Sequence, residues 1–316
     1  MAAVSLRISK TFSDSSTKII IENTSLNVLV GFDEPDDNCQ ALIVRSKDDV
    51  DYSLIQKFPN LKVIVSATSG FDHFDLDLVQ KEKQIFFGFS PNANIVSCTE
   101  LTLMHALNLL KNQKLHLEPK RTEKNLGLEL FSKTVLIVGF GRIGQRVSTL
   151  LQSLGANVIA HDPYAFKIDF ARLNVESVSL KEGLKKADVV SLHCPLTKKT
   201  KGMVDSAFFK NMKSDSFLIN CARGELLIEN DLIQALRNKD LKAAALDVFE
   251  TEPLPETSDL WAEPRVYLSP HIGGYTQEAQ IRSALESLKQ VKGVLGDDNQ
   301  GLCPLPLDAI WFKDLI

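Results

Sequence analysis

The sequence has no Cys-x-x-C pair, no long hydrophobic run and no excess of basic residues. Its five cysteines are odd in number and widely scattered, so neither a disulfide framework nor a zinc knuckle is indicated. No apolar run approaches the ~18–20 residues that a membrane-spanning helix needs. The net charge of −4 offers no basic surface for nucleic acid or for an anionic membrane. These absences predict a protein without a metal site and without nucleic-acid or membrane partners.

The amino terminus has no charged segment followed by an apolar segment, as a secretory signal would require. Together with the unpaired cysteines, this predicts a cytoplasmic protein. A composition of 44% hydrophobic and 24% charged residues excludes a disordered, collagen-like or coiled-coil chain. At roughly 150 residues per domain, a chain of 316 residues predicts two domains.

Short apolar runs alternate with longer amphipathic stretches along most of the chain. The runs are continuously apolar, which is typical of strands covered on both faces in a parallel sheet with helical crossovers. They cover residues 26–31, 41–44, 61–65, 84–89, 134–138, 157–161, 188–194, 217–221, 243–248 and 266–269. Helical patterns lie at 50–57, 76–83, 96–110 and 278–294. The sequence predicts two α/β sheets, over about 1–98 and 99–284, with the tail 296–306 packed on the first.

A dinucleotide-binding turn is predicted where the apolar run 134–138 leads into Gly-Phe-Gly-Arg-Ile-Gly. Gly139 allows the tight turn, Gly141 lets the backbone approach a pyrophosphate, and Gly144 lets helix and strand pack closely. The helix that opens at Arg142 and Ile143 would face the phosphates with its unpaired N–H groups and positive dipole.

Asp162 ends the next apolar run, 18 residues after Gly144. This is close to the ~20-residue spacing of the carboxylate that accepts from the adenosine ribose hydroxyls. No arginine follows Asp162 directly, so the 2′-phosphate of NADP would be repelled rather than paired. The sequence therefore predicts NAD as the cofactor.

Three further runs end in side chains that suit acid–base chemistry. They carry Arg223, the carboxylates Asp247, Glu250 and Glu252, and His271. In an open parallel sheet the carboxyl ends of the strands share one edge, so these groups are expected to converge beside the glycine turn. A guanidinium can clamp a carboxylate with two hydrogen bonds, and a histidine paired with a carboxylate can give and take a proton. The set suits the reduction of a 2-keto acid.

Five segments resemble the D-isomer-specific 2-hydroxyacid dehydrogenase family. They are GFGRIG at 139–144, HCPLT at 193–197, NCARGELL at 220–227, ALDVFETEPLP at 245–255 and SPHIGG at 269–274. The resemblance implies an α/β fold of two Rossmann-like parallel-sheet domains with the active site in the cleft. An NAD-binding domain (99–284) would be inserted into a flavodoxin-like substrate domain (1–98 and 285–316). The resemblance also implies a homodimer formed around the helix near 96–110 and the arm that follows it.

The resemblance further assigns roles to the polar residues. It implies Arg223 as the cation that orients the substrate and His271 as the acid–base group. It implies Glu252 rather than Glu250 as the partner of His271, because the family's glutamate directly precedes the proline. Residues that would line the nicotinamide and ribose are Cys194, Pro195, Cys221, Ala222 and Asp247, and Gly273 and Gly274 are further expected cofactor contacts.

Within the family, the segments LIVRS at 42–46 and HIGGYTQEAQ at 271–280 look like the phosphoglycerate dehydrogenase branch. This implies oxidation of 3-phosphoglycerate, a step of serine biosynthesis. The expected substrate contacts are Arg45, Ser46, Ser66, Thr68, Ser69 and Gly70. Ser66 stands where many members of that branch carry arginine, and the 66–73 pattern looks closer to erythronate-4-phosphate dehydrogenase. Hydroxypyruvate or glyoxylate reduction, and a non-catalytic NAD-sensing corepressor on the same fold, are further alternatives.

Overall fold

The computed structural model describes residues 4–112, 126–296, 302–307 and 309, which divide into two compact units. The first unit holds the described residues up to Ile95 and those from Gly274 onward, and the second holds those of Val96–Gly273. The sequence placed the second division at 284/285, which falls inside the helix Gln277–Leu295. The whole helix belongs to the first unit because Ala284, Leu288 and Val291 pack into that unit's core.

The first unit is built on a parallel sheet of five strands in the order β2-β1-β3-β4-β5. The strands are β1 (Ser5–Ile8), β2 (Asn27–Val30), β3 (Cys39–Val44), β4 (Val63–Ser66) and β5 (Phe86–Phe89). The helices are α1 (Asp14–Glu22), α2 (Tyr52–Ile55), α3 (Leu76–Lys81) and, from the second segment, α10 (Gln277–Leu295). This 2-1-3-4-5 order is the flavodoxin-like order that the resemblance implied.

Strand β1 is one of the elements that the sequence patterns missed, and in this unit α1 is another. Its four residues alternate polar and apolar, so they form no apolar run, yet all four are buried. Ser5 and Arg7 are buried because Asp36 pairs with both: Ser5 Oγ lies 2.6 Å and Arg7 Nε 3.5 Å from an Asp36 carboxylate oxygen. Arg7 Nη1 also donates to the carbonyl of Gly31 at 3.0 Å. A partner 29 residues away from Arg7 thus allows the polar residues of this strand to be buried inside the sheet.

The described part of the tail packs on the first unit, as expected. Pro304 forms an antiparallel bridge with Gly88, and Leu305 N donates to the Phe87 carbonyl at 3.0 Å. The Leu305 side chain is buried. The tail therefore extends the sheet beside β5.

The second unit is built on a parallel sheet of seven strands in the order β12-β11-β10-β9-β6-β7-β8. The strands are β6 (Thr134–Val138), β7 (Asn157–His161), β8 (Glu176–Ser177), β9 (Val189–Leu192), β10 (Phe217–Asn220), β11 (Ala243–Leu246) and β12 (Val266–Leu268). The helices are α4 (Ile95–Lys111), α5 (Arg142–Ser153), α6 (Lys167–Arg172), α7 (Leu180–Lys186), α8 (Ser206–Asn211) and α9 (Glu229–Arg237). The chain builds outward from β6 to β8 and then returns to β9, so the switch point lies between β6 and β9.

The apolar runs of the sequence are explained by burial on both faces of this sheet. In β6, Leu136 and Val138 belong to one core cluster, whereas Val135 and Ile137 belong to another. Because alternate side chains point to opposite faces, both faces must be covered by helices. The predicted fold class of two parallel-sheet α/β domains is confirmed. Among the described residues, no helix is long and apolar enough to cross a membrane.

Candidate active site

The glycine turn lies between β6 and α5, at the switch point of the second unit's sheet. Gly139 has a φ of 95°, and a Cβ there would lie 2.5 Å from the backbone nitrogen of Cys194. A Cβ on Gly144 would collide with the carbonyl oxygen of Gly139. Both positions therefore require glycine for the turn to close.

Gly141 differs because a Cβ there would meet nothing within 4 Å. It is the N-cap of α5, and no side chain caps this helix. The first turn, which begins with Arg142 and Ile143, therefore presents backbone N–H groups beside open space. That arrangement fits the pyrophosphate of a dinucleotide, because helix N-termini favour anions and the glycine leaves room for close approach.

Asp162 follows β7 and is bound to the glycine turn. One of its carboxylate oxygens accepts from Phe140 N–H at 2.7 Å. The other accepts from the N–H groups of Tyr164 at 2.8 Å and Ala165 at 3.2 Å. A carboxylate has about four acceptor positions, so one remains on the oxygen that faces Phe140. This leaves capacity for a ribose hydroxyl at the position that the sequence predicted.

Arg223 follows β10, and Asn220 shapes its loop. The buried Asn220 amide donates to the Arg223 carbonyl at 2.8 Å, and its oxygen accepts from Ala222 N–H at 3.1 Å. The Arg223 guanidinium donates through Nη1 to the Ala222 carbonyl at 2.7 Å. The sequence analysis gave Asn220 no role. The sequence feature that could have identified Asn220 is its position, since it is a polar residue at the end of an otherwise apolar strand.

His271 and Glu252 form a hydrogen-bonded pair, with His271 Nδ1 2.6 Å from Glu252 Oε2. The second Glu252 oxygen accepts from Phe249 N–H at 3.2 Å. Burial by itself raises the pKa of Glu252. The hydrogen bond and charge of His271, the Phe249 N–H and the charge of Arg223 together lower that pKa below its ordinary value. An ionised Glu252 holds the proton of His271 on Nδ1, which leaves Nε2 for proton exchange.

The backbone of His271 lies in the left-handed region, with a φ of 53°. Its N–H donates to the Asp247 carbonyl at 2.8 Å. The buried Asp247 carboxylate accepts from Ile272 N–H at 2.9 Å and from Gly273 N–H at 2.8 Å. Asp247 therefore holds the turn that carries His271.

The other reactive side chains near the strand ends are poorly suited to nucleophilic or acid–base roles. Burial raises the pKa of the Cys98 and Cys194 thiols to about 12 and also raises that of Cys221, so all three are thiols at neutral pH. Burial lowers the pKa of His193 to about 4, so this histidine is neutral at pH 7. Pro195 and Ala222 are the remaining cofactor candidates of this edge, and both follow strands of this sheet.

The expected substrate residues, and Gly274, lie in the first unit. Val44 and Ser66 are register partners on β3 and β4, so Arg45 and Ala67 follow side by side at one sheet edge. Arg45 Nη1 donates to Gln280 Oε1 at 2.5 Å and to the Thr11 carbonyl at 3.3 Å. Among the described residues, none accepts a hydrogen bond from Arg45 Nε or Nη2.

Ser66 and Thr68 form a closed hydrogen-bond chain. Ser66 Oγ lies 2.8 Å from Thr68 Oγ1 and 3.2 Å from His73 Nε2, and Thr68 Oγ1 donates to the Gly70 carbonyl at 2.8 Å. The Ser66 side chain is fully buried, whereas Ser46 is exposed and Ser69 half-buried. The hydroxyl protons of Ser66 and Thr68 are therefore used within the loop. Arg45 is the one positively charged member of the expected substrate set.

A seven-stranded doubly wound sheet with an open glycine turn at its switch point defines a dinucleotide-binding protein. The family model "D-isomer specific 2-hydroxyacid dehydrogenase, NAD binding domain" matches residues 100–273, more than half of the chain. The chain therefore belongs to the D-isomer specific 2-hydroxyacid dehydrogenase family, as the sequence motifs predicted.

Relatives from distant organisms share this similarity. D-3-phosphoglycerate dehydrogenase of Bacillus subtilis is 36% identical over 79% of this chain and 48% of its own length. The enzyme of that name from Methanocaldococcus jannaschii is 34% identical over 92% of this chain and 57% of its own length. The chain thus spans about half the length of these relatives. A crystal structure of D-lactate dehydrogenase from Aquifex aeolicus, complexed with NAD and lactic acid, is 28% identical with a TM-score of 0.80, covering 94% of this chain and 97% of that one.

Proposed function

We propose that this chain is an NAD-dependent oxidoreductase that interconverts a D-2-hydroxy acid and its 2-keto acid, with 3-phosphoglycerate and 3-phosphohydroxypyruvate as the pair. The observation that carries the proposal is the His271–Glu252 pair at the same sheet edge as Arg223 and the open glycine turn. NAD would be held at this turn, where its oxidised form would accept the hydride and its reduced form would donate it. The names of the curated relatives support the phosphorylated substrate and a role in serine biosynthesis.

The proposed roles follow from the chemistry of three side chains. Arg223 binds the substrate carboxylate and polarises the C2 carbonyl, because its planar fork donates two parallel hydrogen bonds. His271 Nε2 accepts the hydroxyl proton during oxidation and returns it during reduction. Glu252 keeps the other ring nitrogen protonated and stabilises the imidazolium. The high pKa of the neighbouring thiols argues against a covalent thiol route.

The roles of the two units, the location of the protein and its oligomeric state are also proposals, and they rest on the site and on the similar proteins. The second unit is the NAD-binding domain and the first unit the substrate domain of a cytoplasmic enzyme. The enzyme is a homodimer that pairs through its second units. The exposed apolar side chains of Met104 on α4 and of Leu126 and Phe131 support such pairing. The arm at 113–125, expected to take part, lies outside the described residues.

The proposal is tested by measuring NAD reduction with a panel of D- and L-2-hydroxy acids. The panel contains 3-phosphoglycerate, D-glycerate, glycolate, erythronate 4-phosphate and lactate. Turnover of 3-phosphoglycerate with the highest kcat/KM would support the full proposal. If no hydroxy acid and no matching keto acid reacts, while NAD still binds, the non-catalytic NAD-sensing alternative replaces it.

A second candidate function is reduction of unphosphorylated hydroxypyruvate or glyoxylate. It is favoured by the closed chain of Ser66, Thr68 and His73, which uses the hydroxyl protons that a phosphate would need. The phosphorylated substrate is favoured by Arg45, whose Nε and Nη2 donate to no described residue. The two candidates differ in what they require of Arg45.

We expect Arg45→Ala to raise the KM for 3-phosphoglycerate about 10- to 100-fold and to leave the KM for D-glycerate nearly unchanged. A hydrogen bond to a charged group contributes about 1.5–3 kcal/mol, and only the phosphorylated substrate would lose it. The measurement is steady-state kinetics with both substrates at saturating NAD.

The matched control is Gln280→Ala, which removes the neutral partner of Arg45 but keeps the cation. This variant should change the two KM values by similar, small factors. Equal increases of both KM values in Arg45→Ala would show that Arg45 is not a phosphate ligand, and would favour the unphosphorylated substrate.

We expect the wild-type protein to prefer NAD, and Asp162→Asn to lower the NAD-to-NADP ratio of kcat/KM by about 10-fold or more. Removing one unit charge close to the 2′-phosphate relieves a repulsion of a few kcal/mol, about 4 kcal/mol at 4 Å and an effective dielectric of 20. Asparagine keeps an oxygen for the N–H groups of Tyr164 and Ala165 and loses only the acceptor for Phe140 N–H, so it disturbs the turn less than alanine does. The control is Asp169→Asn, the same charge change on α6. A wild-type preference for NADP would refute the role of Asp162.

A further inference from the structure

A buried histidine that the proposed mechanism does not use lies on α4, next to the turn that carries His271. His105 is 3% exposed, and its Nε2 lies 3.1 Å from Ser269 Oγ. Its Nδ1 is buried, and no described residue forms a hydrogen bond with it. His105 is therefore tied to one hydroxyl on β12's outgoing turn and to no other described polar group.

The direction of each hydrogen bond follows from the groups involved. Ser269 Oγ donates its single proton to Asp247 Oδ1 at 2.6 Å. Ser269 can then only accept from His105, so His105 carries its proton on Nε2 and leaves Nδ1 as a bare acceptor. Burial lowers the pKa of His105, and the charge of Asp247 opposes that shift without cancelling it. The lowered pKa keeps the ring neutral at pH 7.

A histidine at this position has a cost that an apolar residue would not have. A buried acceptor without a donor loses its hydrogen bonds to water on folding and gains none in return. The helix neighbours one turn away, Leu101 and Leu109, are both buried and apolar. A leucine at position 105 would match that apolar face and would leave no buried acceptor without a donor. The compensation that the structure offers is the hydrogen bond that His105 donates to Ser269.

That hydrogen bond leads to the turn of His271 through one carboxylate. Asp247 is 1% exposed and accepts from Ser269 Oγ, Ile272 N–H and Gly273 N–H. The turn contains His271 in the left-handed conformation, which costs energy for a residue other than glycine and persists only where its surroundings hold it. The orientation of the Asp247 carboxylate therefore affects the position of the His271 ring.

We propose that His105 is a positioning residue: by donating to Ser269 it aligns the Asp247 carboxylate, which holds the 269–273 turn and thereby His271 in its reactive conformation. His105 acts only through Ser269 and transfers no proton itself. The kinetic test of this role rests on the proposed function, because it measures catalysis. The position of the turn can be measured without catalysis.

The kinetic test compares His105→Leu, His105→Gln and Ser269→Ala. We expect His105→Leu to lower kcat about 10-fold, less than the roughly 100-fold that a 1 Å misplacement of a reacting group can cost, with KM values within about 2-fold of wild type. Glutamine can place its amide N–H near the position of Nε2, so His105→Gln should recover most of the lost kcat. Because His105 acts through Ser269, the double variant His105→Leu/Ser269→Ala should be no slower than Ser269→Ala alone.

The matched control is Leu109→Ala, which removes buried atoms from α4 one turn further on, from a side chain that forms no hydrogen bond. It should lower the free energy of unfolding in urea more than His105→Leu does, and keep wild-type kcat. An unchanged kcat in His105→Leu, an equal loss in Leu109→Ala or an additive loss in the double variant would each overturn the proposal.

Hydrogen exchange of the wild-type and variant proteins tests the same proposal without substrate. Amides of Ile272 and Gly273 should exchange faster in His105→Leu, return toward wild-type rates in His105→Gln and stay at wild-type rates in Leu109→Ala. Unchanged exchange in His105→Leu would overturn the positioning role even in an active enzyme. The two proposals can fail separately. If the wild-type protein oxidises no hydroxy acid but the three variants show this exchange pattern, the proposed function is refuted and the role of His105 is supported.

Discussion

Replacing His271 with alanine is expected to lower kcat by roughly 10²–10⁴-fold, the range for a lost general acid–base group, while NAD still binds. His271 Nε2 is the ring nitrogen left for proton exchange, since Nδ1 is held 2.6 Å from Glu252. The residues that would hold the dinucleotide phosphates lie on another turn, between β6 and α5. The measurement is kcat with 3-phosphoglycerate together with NAD affinity by calorimetry.

The backbone of His271 supplies the control for this variant. The left-handed conformation at a φ of 53° costs a residue other than glycine about 1–2 kcal/mol, and asparagine, like histidine, tolerates it better than alanine does. His271→Asn should therefore lose kcat to a similar degree and fold with nearly wild-type stability. A kcat within about 3-fold of wild type in the asparagine variant would contradict the acid–base assignment.

Glu252→Gln tests the same pair through its pH dependence. The hydrogen bond and charge of His271 outweigh burial and lower the pKa of Glu252, so this carboxyl is ionised beside the ring at neutral pH. Glutamine keeps the shape but has no carboxyl to ionise, so kcat should fall and the pH–rate profile should lose the acid limb that the titration of Glu252 contributes. Glu250→Gln, on the neighbouring carboxylate, should keep the wild-type profile. A shift in Glu250→Gln alone would reverse the choice between the two glutamates.

Replacing Arg223 with lysine is expected to lower kcat/KM by about 10²–10³-fold, the size of effect seen when one donor to a developing oxyanion is removed. Lysine keeps the positive charge but loses the planar fork that binds a carboxylate with two hydrogen bonds. The loss should therefore appear both as a raised KM for the hydroxy acid and as a lowered kcat. Steady-state kinetics at saturating NAD separates the two.

Arg237→Lys is the matched control for Arg223→Lys. Arg237 lies on α9, and its ion pair with Asp259 at 3.6 Å is exposed on both sides. Exposed pairs of this kind contribute about 0–1 kcal/mol, so the control should keep wild-type kinetics and stability. Similar kinetic constants for Arg223→Lys and Arg237→Lys would remove Arg223 from the reaction.

Much of the second unit was determined by local sequence. The apolar runs at 134–138 and 157–161 coincide with β6 and β7, because the interior positions of a strand covered on both faces are apolar on either side. The glycine turn could also be predicted, since its conformation depends on residues within one strand–turn–helix segment. The polar residues at the strand ends were found for the same reason: the end of an apolar run shows where the sheet edge lies.

Tertiary structure decided the features that depend on distant partners. Strand β1 has no apolar run: Leu6 and Ile8 pack in the core, and the polar Ser5 and Arg7 can be buried beside them because Asp36 pairs with both. Chemistry alone did not distinguish Glu250 from Glu252, and the fold places the latter against His271, 19 residues away. His105 and Ser269 are 164 residues apart. A hydrogen bond forms only when donor and acceptor lie within about an ångström of their ideal separation. Spacing along the chain constrains the relative position of two residues only within one helix, strand or turn.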